Sequence, residues 1–264
     1  GDCTVEWDVA APGQIRLAGD MPDILLKPAF GRYGAAFDIG TTTLAARLYD
    51  ARGRLLAEDS RLNPQSGWGA DVISRIEASL GGAAEKIAEA VCGALDAMLL
   101  ELSARAGISG EEIDAMAVTG NTVMLYLLTG TSAEPLSHAP FMVDRLFGET
   151  VYAGELGLAV PRQDAEIYLA PCVSAFVGAD LVTALLACGI GKTGAAQLLV
   201  DIGTNGEMAL WREGKLYCCS TAAGPAFEGA GISMGMGGAP GAIDRVEVRD
   251  SSIVAHVIGG GAPK

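Results

Sequence analysis

One short motif occurs twice in the chain. Ala36-Phe37-Asp38-Ile39-Gly40-Thr41 returns as Leu199-Val200-Asp201-Ile202-Gly203-Thr204. Each copy ends a short apolar run in Asp-Ile-Gly-Thr. A second strand-like segment, a glycine-bearing turn and a third such segment follow. A lone four-residue match would mark only a hairpin, and Asn205-Gly206 is in any case a favoured hairpin dipeptide. The match of the whole strand-turn-strand-turn-strand context confines the chain to folds with two related lobes, each opening on a three-strand meander.

The remaining pattern fits between these meanders. Residues 1–31 carry Pro12, Gly13, Pro22, Pro28 and Gly31 between short apolar pieces and read as a linker or the tail of a preceding domain. Residues 32–135 form the expected first lobe, 136–165 an irregular connection or insertion, and 166–264 a second lobe, expected to be incomplete at its C-terminus. The clearest helix is Glu85–Ala106, where Ile87, Val91, Leu95, Met98 and Leu102 recur at spacings of three and four before Gly107. Ser109 and Glu112 have capping-box spacing. Further helices are expected from Gly120-Asn121 through Leu128 and over Ser174–Cys188, with a glycine-rich loop at Gly224–Gly241 and a last strand at Ile253–Ile258.

Charge limits the ligands. A formal charge of −14 repels nucleic-acid backbones, so no nucleic-acid partner is expected. An anionic ligand has to be held by backbone amides and a divalent cation. The six cysteines are dispersed with no CxxC or CxxxxC pair, so neither a zinc knuckle nor an iron–sulfur site is read within these residues. Dispersed cysteines and the lack of an apolar run near 18 residues give the expectation of a cytoplasmic protein with no membrane partner.

The repeated turn has the chemistry such a ligand needs. Gly40 lets backbone approach a ligand closely, so the amides of Gly40, Thr41, Thr42 and Thr43 are candidates to cradle phosphate. Gly203, Thr204, Asn205 and Gly206 are their counterparts. Asp38 and Asp201 cannot face phosphate directly. They make sense as carboxylates that hold Mg²⁺ through its water shell. Two such loops across a cleft would grip a triphosphate, and positioning with charge neutralisation is what phosphoryl transfer requires. Gly191-Lys192-Thr193 is not a P-loop end, because Leu186 stands where its first glycine belongs. His138 and His256 read as structural, and Cys218-Cys219 as packing residues.

The ordered series resembles one family. Tyr33–Thr43 is followed by Asn63-Pro64-Gln65, Gly69-Ala70-Asp71-Val72-Ile73-Ser74-Arg75-Ile76, Gly120-Asn121-Thr122-Val123-Met124 and Ala139-Pro140-Phe141. Asp201-Ile202-Gly203-Thr204-Asn205-Gly206-Glu207 and Thr221-Ala222-Ala223-Gly224-Pro225-Ala226-Phe227-Glu228-Gly229 complete it. Over residues 32–264 this is similar to the ATP-dependent reductive activators of corrinoid proteins. The resemblance implies an α/β fold of two actin-like (ribonuclease H-like) lobes, with mixed sheets and helices around a nucleotide cleft. It implies ATP and Mg²⁺ as cofactors, with Asp38, Asp201 and Glu207 as catalytic carboxylates. ATP hydrolysis would be coupled to reduction of Co(II) to Co(I) in a corrinoid methyl-transfer protein, the expected partner. The electron would come from an iron–sulfur cluster in a separate domain, so the isolated chain is expected to be inactive, and a homodimer is compatible with the family.

The sequence departs from the family pattern in three respects. It lacks cluster-binding cysteines, it stops at Ala262-Pro263-Lys264 before an expected adenosine-binding segment, and it reads Met234-Gly235-Met236-Gly237-Gly238 where the family has an arginine near Gly237. Two other readings share the motifs: a small-molecule kinase of the same fold, and a nucleotide-dependent binding module without significant hydrolysis.

Overall fold

A computed structural model describes residues 32–222, 235–236, 240–249 and 252–264, and the backbone of three short strands before them. Those strands, β1 (Val5–Glu6), β2 (Gln14–Leu17) and β3 (Ile24–Leu25), pair antiparallel in that order within the segment read as a linker or tail. The expected loop at 224–241, the motif at 221–229 and the 234–238 stretch fall largely outside the described residues, as does Cys3. The chain divides into two compact units, residues 1–201 with 207–220, and residues 202–206 with 221–264.

The first unit is organised by strand alternation. β4 (Tyr33–Ile39), β5 (Thr43–Asp50) and β6 (Leu55–Leu62) run antiparallel as the first expected meander. β7 (Ile113–Gly120) lies parallel to β4, β9 (Glu166–Leu169) parallel to β7, and β8 (Glu149–Tyr152) antiparallel at the edge. The six strands form a mixed sheet in the order β6-β5-β4-β7-β9-β8. On β4 and β5, Ala35, Phe37, Ile39, Leu44, Ala46 and Leu48 are buried, while Asp38, Ala45 and Arg47 between them are exposed. A period of two thus gives this part of the sheet one core face and one open face.

Helix α2 (Ala84–Ala106) covers the core face, after the short α1 (Val72–Ala78). Ile87, Val91, Leu95, Met98 and Leu102 are each at most 1% exposed. Each such buried aliphatic side chain contributes about 1.5–3 kcal/mol relative to exposure. Gly107 ends the helix at φ 70°, and Ile108 N–H reaches back to the Ser103 carbonyl at 3.0 Å in a Schellman closure. The Ser109/Glu112 capping box is formed, and α3 (Thr122–Leu128) starts at Asn121, whose side chain accepts from Val123 N–H.

Helix α4 (Ala179–Cys188) begins five residues later than the sequence pattern predicts. Ser174 and Val177 instead make an isolated bridge, and Gly178 serves as N-cap. Glycine is required there by contact. A Cβ on Gly178 would stand 2.7 Å from both Asn121 Cα and the Gly120 carbonyl oxygen. A Cβ on Gly120 would stand 2.6 Å from the Ile39 carbonyl oxygen. The ends of β4 and β7 and the start of α4 therefore meet backbone on backbone.

The second meander comprises β10 (Gln197–Ile202), β11 (Asn205–Arg212) and β12 (Lys215–Ala222), neighbours in that order. Leu181, Leu185 and Ile190 pack with Ala209, Trp211 and Leu216 in a second apolar cluster. Leu198, Val200, Met208, Leu210 and Tyr217, at alternate positions, are exposed. In the second unit, β13 (Ile243–Arg249) and β14 (Ser252–Val257) form an antiparallel hairpin. No helix among the described residues is long and apolar enough to cross a membrane.

Two glycine substitutions separate close approach from propensity. Gly120→Ala is expected to cost about 2 kcal/mol or more through backbone overlap. Gly93→Ala, in open space on α2, should stabilise by roughly 0.5–1 kcal/mol. Urea denaturation of both variants checks the pair, and equal shifts would contradict the packing described.

Candidate functional site

The open face of β4–β6 and the flank of α4 enclose a cleft of about 1010 Å³. Asp38, Asp180 and Asp201 all line it, with Thr119, Thr183 and Arg47. Asp38 is the penultimate residue of β4, beside Ala45 on β5 and Thr119 on β7. Asp201 is likewise penultimate in β10. The repeat thus delivers equivalent carboxylates to one cleft. Asp180 is the second residue of α4 and accepts from Leu181 N–H at 2.8 Å. One turn on, Thr183 bonds its hydroxyl to the Ala179 carbonyl at 2.9 Å and meets the Thr119 hydroxyl at 3.0 Å.

Electrostatics mark this as a strained grouping of like charges. Asp38 is open to water in the cleft but ringed by protein, and this partial desolvation, followed by the charge of Asp201, raises its pKa. Burial, followed by the charges of Glu207, Asp38 and Asp201, pushes Asp180 up to about 7 despite the Leu181 hydrogen bond. Glu207 is 7% exposed and accepts from Ser220 Oγ at 3.1 Å. Its pKa is raised by burial and then by Asp201, with the Ser220 bond opposing. Among the described residues no three histidine, cysteine, aspartate or glutamate side chains could hold a metal ion directly.

The two turns after the repeated aspartates differ in length. Gly40, Thr41 and Thr42 separate β4 from β5, whereas only Gly203 and Thr204 separate β10 from β11. In the first, Gly40 N–H donates to the Thr43 carbonyl at 3.0 Å, and a Cβ on Gly40 would stand 2.7 Å from that oxygen. Thr41 is buried, while Thr42 and Thr43 are exposed. In the second, Gly203 N–H donates to the Asn205 carbonyl at 2.9 Å, Gly206 is buried, and Thr204 and Asn205 are half-buried. Gly203, Thr204, Asn205 and Gly206 belong to the second unit. The two glycine amides expected to face a ligand are therefore engaged within their own turns.

Asp180, Thr119 and Thr183 were not among the residues singled out by sequence. The signal for Asp180 was there: one carboxylate in an otherwise apolar run, two residues after the glycine at 178. A helix over all of Ser174–Cys188 would bury that signal in a helix interior, whereas α4 starts at Ala179 and puts Asp180 in its first turn.

Comparison with known proteins agrees with this architecture. Residues 33–193 match the family model described as the RACo middle region, and residues 195–264 match the C-terminal domain of RACo, the ASKHA domain. The corrinoid activation enzyme RamQ of Eubacterium limosum is 37% identical over 235 residues, covering 88% of this chain and 39% of that protein. The [Co(II) methylated amine-specific corrinoid protein] reductase of Methanosarcina barkeri is 27% identical over 219 residues, covering 80% of this chain and 40% of its own length. A solved reductive activator for corrinoid, iron-sulfur protein superposes with a TM-score of 0.73 at 34% identity, over 89% of this chain and 38% of that one.

The mixed sheet and repeated turn are those of an actin-like ASKHA domain. The chain belongs to the RACo family. It spans about two fifths of the length of the curated relatives it matches.

The raised pKa of Asp180 gives a signed pH dependence. An unfolded aspartate titrates near 3.9, so between about pH 4 and pH 7 the unfolded chain releases this proton before the folded one does. Stability falls over that window, and the loss is complete above it. Asp180→Asn keeps the acceptor for Leu181 N–H and removes the charge. In metal-free buffer it is expected to be more stable than the parent by on the order of 1–3 kcal/mol at pH 8, converging with it near pH 4. Thermal melts across this range check the sign, and a variant less stable at pH 8 would contradict it.

Proposed function

We propose that these residues form the nucleotide-binding ATPase core of a reductive activator, which couples ATP hydrolysis to reduction of Co(II) to Co(I) in a corrinoid methyl-transfer protein. The observation that carries this reading is the convergence of Asp38 and Asp201, equivalent members of the repeat, on one cleft with Asp180. Family membership supplies the reaction class, and the carboxylates supply the chemistry. Residues 32–135 and 166–264 are assigned as the two lobes of this core.

Each residue has a role the site chemistry supports. The backbone at Thr41–Thr43 binds phosphate. Asp38 and Asp201 hold Mg²⁺ through water, and that ion neutralises phosphate charge when bound. Asp180, with a pKa of about 7, accepts the proton of the attacking water, since a base poised near the working pH is the most effective. Glu207, buried beside this group, holds the negative field that keeps Asp180 basic.

Electron delivery is assigned to an iron–sulfur cluster carried outside these 264 residues. Burial pushes the Cys92 and Cys172 thiols up to about 11 and 12.

The test is steady-state ATP hydrolysis by the intact protein, alongside spectroscopic detection of Co(I) in the corrinoid partner. Asp38→Asn and Asp201→Asn are each expected to slow Mg²⁺-dependent hydrolysis roughly a hundredfold. Neither should lower the unfolding midpoint by more than a few degrees. Parent-like hydrolysis by both variants would remove the carboxylates from the mechanism.

A further inference from the structure

Asn63 lies outside the cleft, yet it touches the first repeated turn at two points. Its backbone N–H donates to the Thr42 carbonyl at 2.8 Å, and its side-chain Nδ2 donates to the Gly40 carbonyl at 2.8 Å. Its Oδ1 accepts from Gln65 N–H at 2.9 Å, capping the short 3₁₀ turn Pro64–Trp68. Asn63 is 0% exposed. A fully buried amide with its donor and acceptor both engaged has no rotameric freedom, so what it holds is held rigidly.

The orientation it enforces follows from peptide geometry. In a trans peptide the C=O and the N–H of the next residue point in opposite directions. Among the described residues the only cis bond is Ala139–Pro140, so the peptides of this turn are trans. Asn63 draws the Gly40 carbonyl to itself, which turns the Thr41 N–H away. It also draws the Thr42 carbonyl to itself, which turns the Thr43 N–H away. In a closed hairpin the Gly40 carbonyl would accept from Thr43 N–H, but here it accepts from Asn63. Two alternate amides are thereby aimed to the side opposite Asn63, the arrangement of an anion-binding nest.

We propose that Asn63 is a positioning residue that aims the Thr41 and Thr43 amides at a phosphate group of the bound nucleotide. This rests on the nucleotide-binding reading and goes beyond it by naming the two donors and the residue that sets them. The support extends one layer further back. Met124 Sδ lies 3.8 Å from Asn63 Nδ2 and 3.3 Å from Arg75 Nη1, and Arg75, itself 0% exposed, donates to the Gly69 carbonyl at 2.9 Å. Burial lowers the Arg75 pKa to about 10, which leaves it charged at neutral pH. The Asn-Pro-Gln and Gly-Ala-Asp-Val-Ile-Ser-Arg segments, adjacent in sequence, thus meet behind the turn.

Asn63→Ser tests this, because a serine hydroxyl can still cap Gln65 but cannot reach the Gly40 carbonyl. Asn63→Asp keeps the shape and replaces the donor by an acceptor. In the intact protein both are expected to weaken ATP and inorganic tripolyphosphate binding by on the order of tenfold, leaving adenosine affinity within about twofold. A general loss of structure would weaken all three alike. In the parent, tripolyphosphate should move the Thr41 and Thr43 amide resonances more than that of Gly40, whose N–H is already bonded to Thr43. That measurement decides the matter even if both variants fail to fold. Parent binding of ATP with unmoved Thr41 and Thr43 amides, or with undiminished affinity in folded variants, overturns the role of Asn63 and leaves the nucleotide reading standing. Failure of the parent to bind either ATP or tripolyphosphate overturns both.

Discussion

The arrangement of the first unit depends on a backbone contact that only glycine permits. Gly120 presses against the end of β4 at Ile39, and Gly178 presses against Gly120 and Asn121. No side chain separates these three segments. The start of α4 is thereby fixed within reach of the strand end that carries Asp38. A Cβ at either glycine would push the helix outward and carry Asp180 from its neighbours. The cleft therefore owes its carboxylate grouping to missing side chains as much as to the acids themselves.

Gathering those acids opposes folding. Asp38, Asp180 and Glu207 are all held above their ordinary pKa by burial and by like charges. Core packing offsets that cost, through the apolar stripe of α2 beneath the sheet and the cluster of α4 against β11 and β12. Proteins commonly concentrate such opposition where chemistry happens, because a group that is comfortable in its resting state has little reason to respond to a ligand. The same repulsion makes the cleft receptive to a cation and hostile to an unaccompanied anion.

Much of this was legible in the sequence, for identifiable reasons. The Asp-Ile-Gly-Thr repeat and the stripe of α2 are local patterns, and both meanders and the helix up to its glycine cap formed where periodicity placed them. Asp180 was missed because its importance lies in contacts of Gly178 with residues nearly sixty positions earlier, which no periodicity encodes. Asn63 was noticed only as part of a resemblance. Its bonds to Gly40 and Thr42 cross a strand pair, and the geometry of a turn depends on which carbonyls are held. The two turns looked alike in sequence and proved unequal, since Thr41 and Thr42 extend the loop where Thr204 and Asn205 close it.

That inequality has a consequence for what each copy depends on. Both turns are closed by a bond from their own glycine amide, but the three linking residues of the first are also braced by an asparagine from beyond the next strand. The first copy therefore takes its shape partly from a residue outside the repeat. Duplication supplies the likeness of sequence, and the neighbours of each copy decide what that sequence becomes.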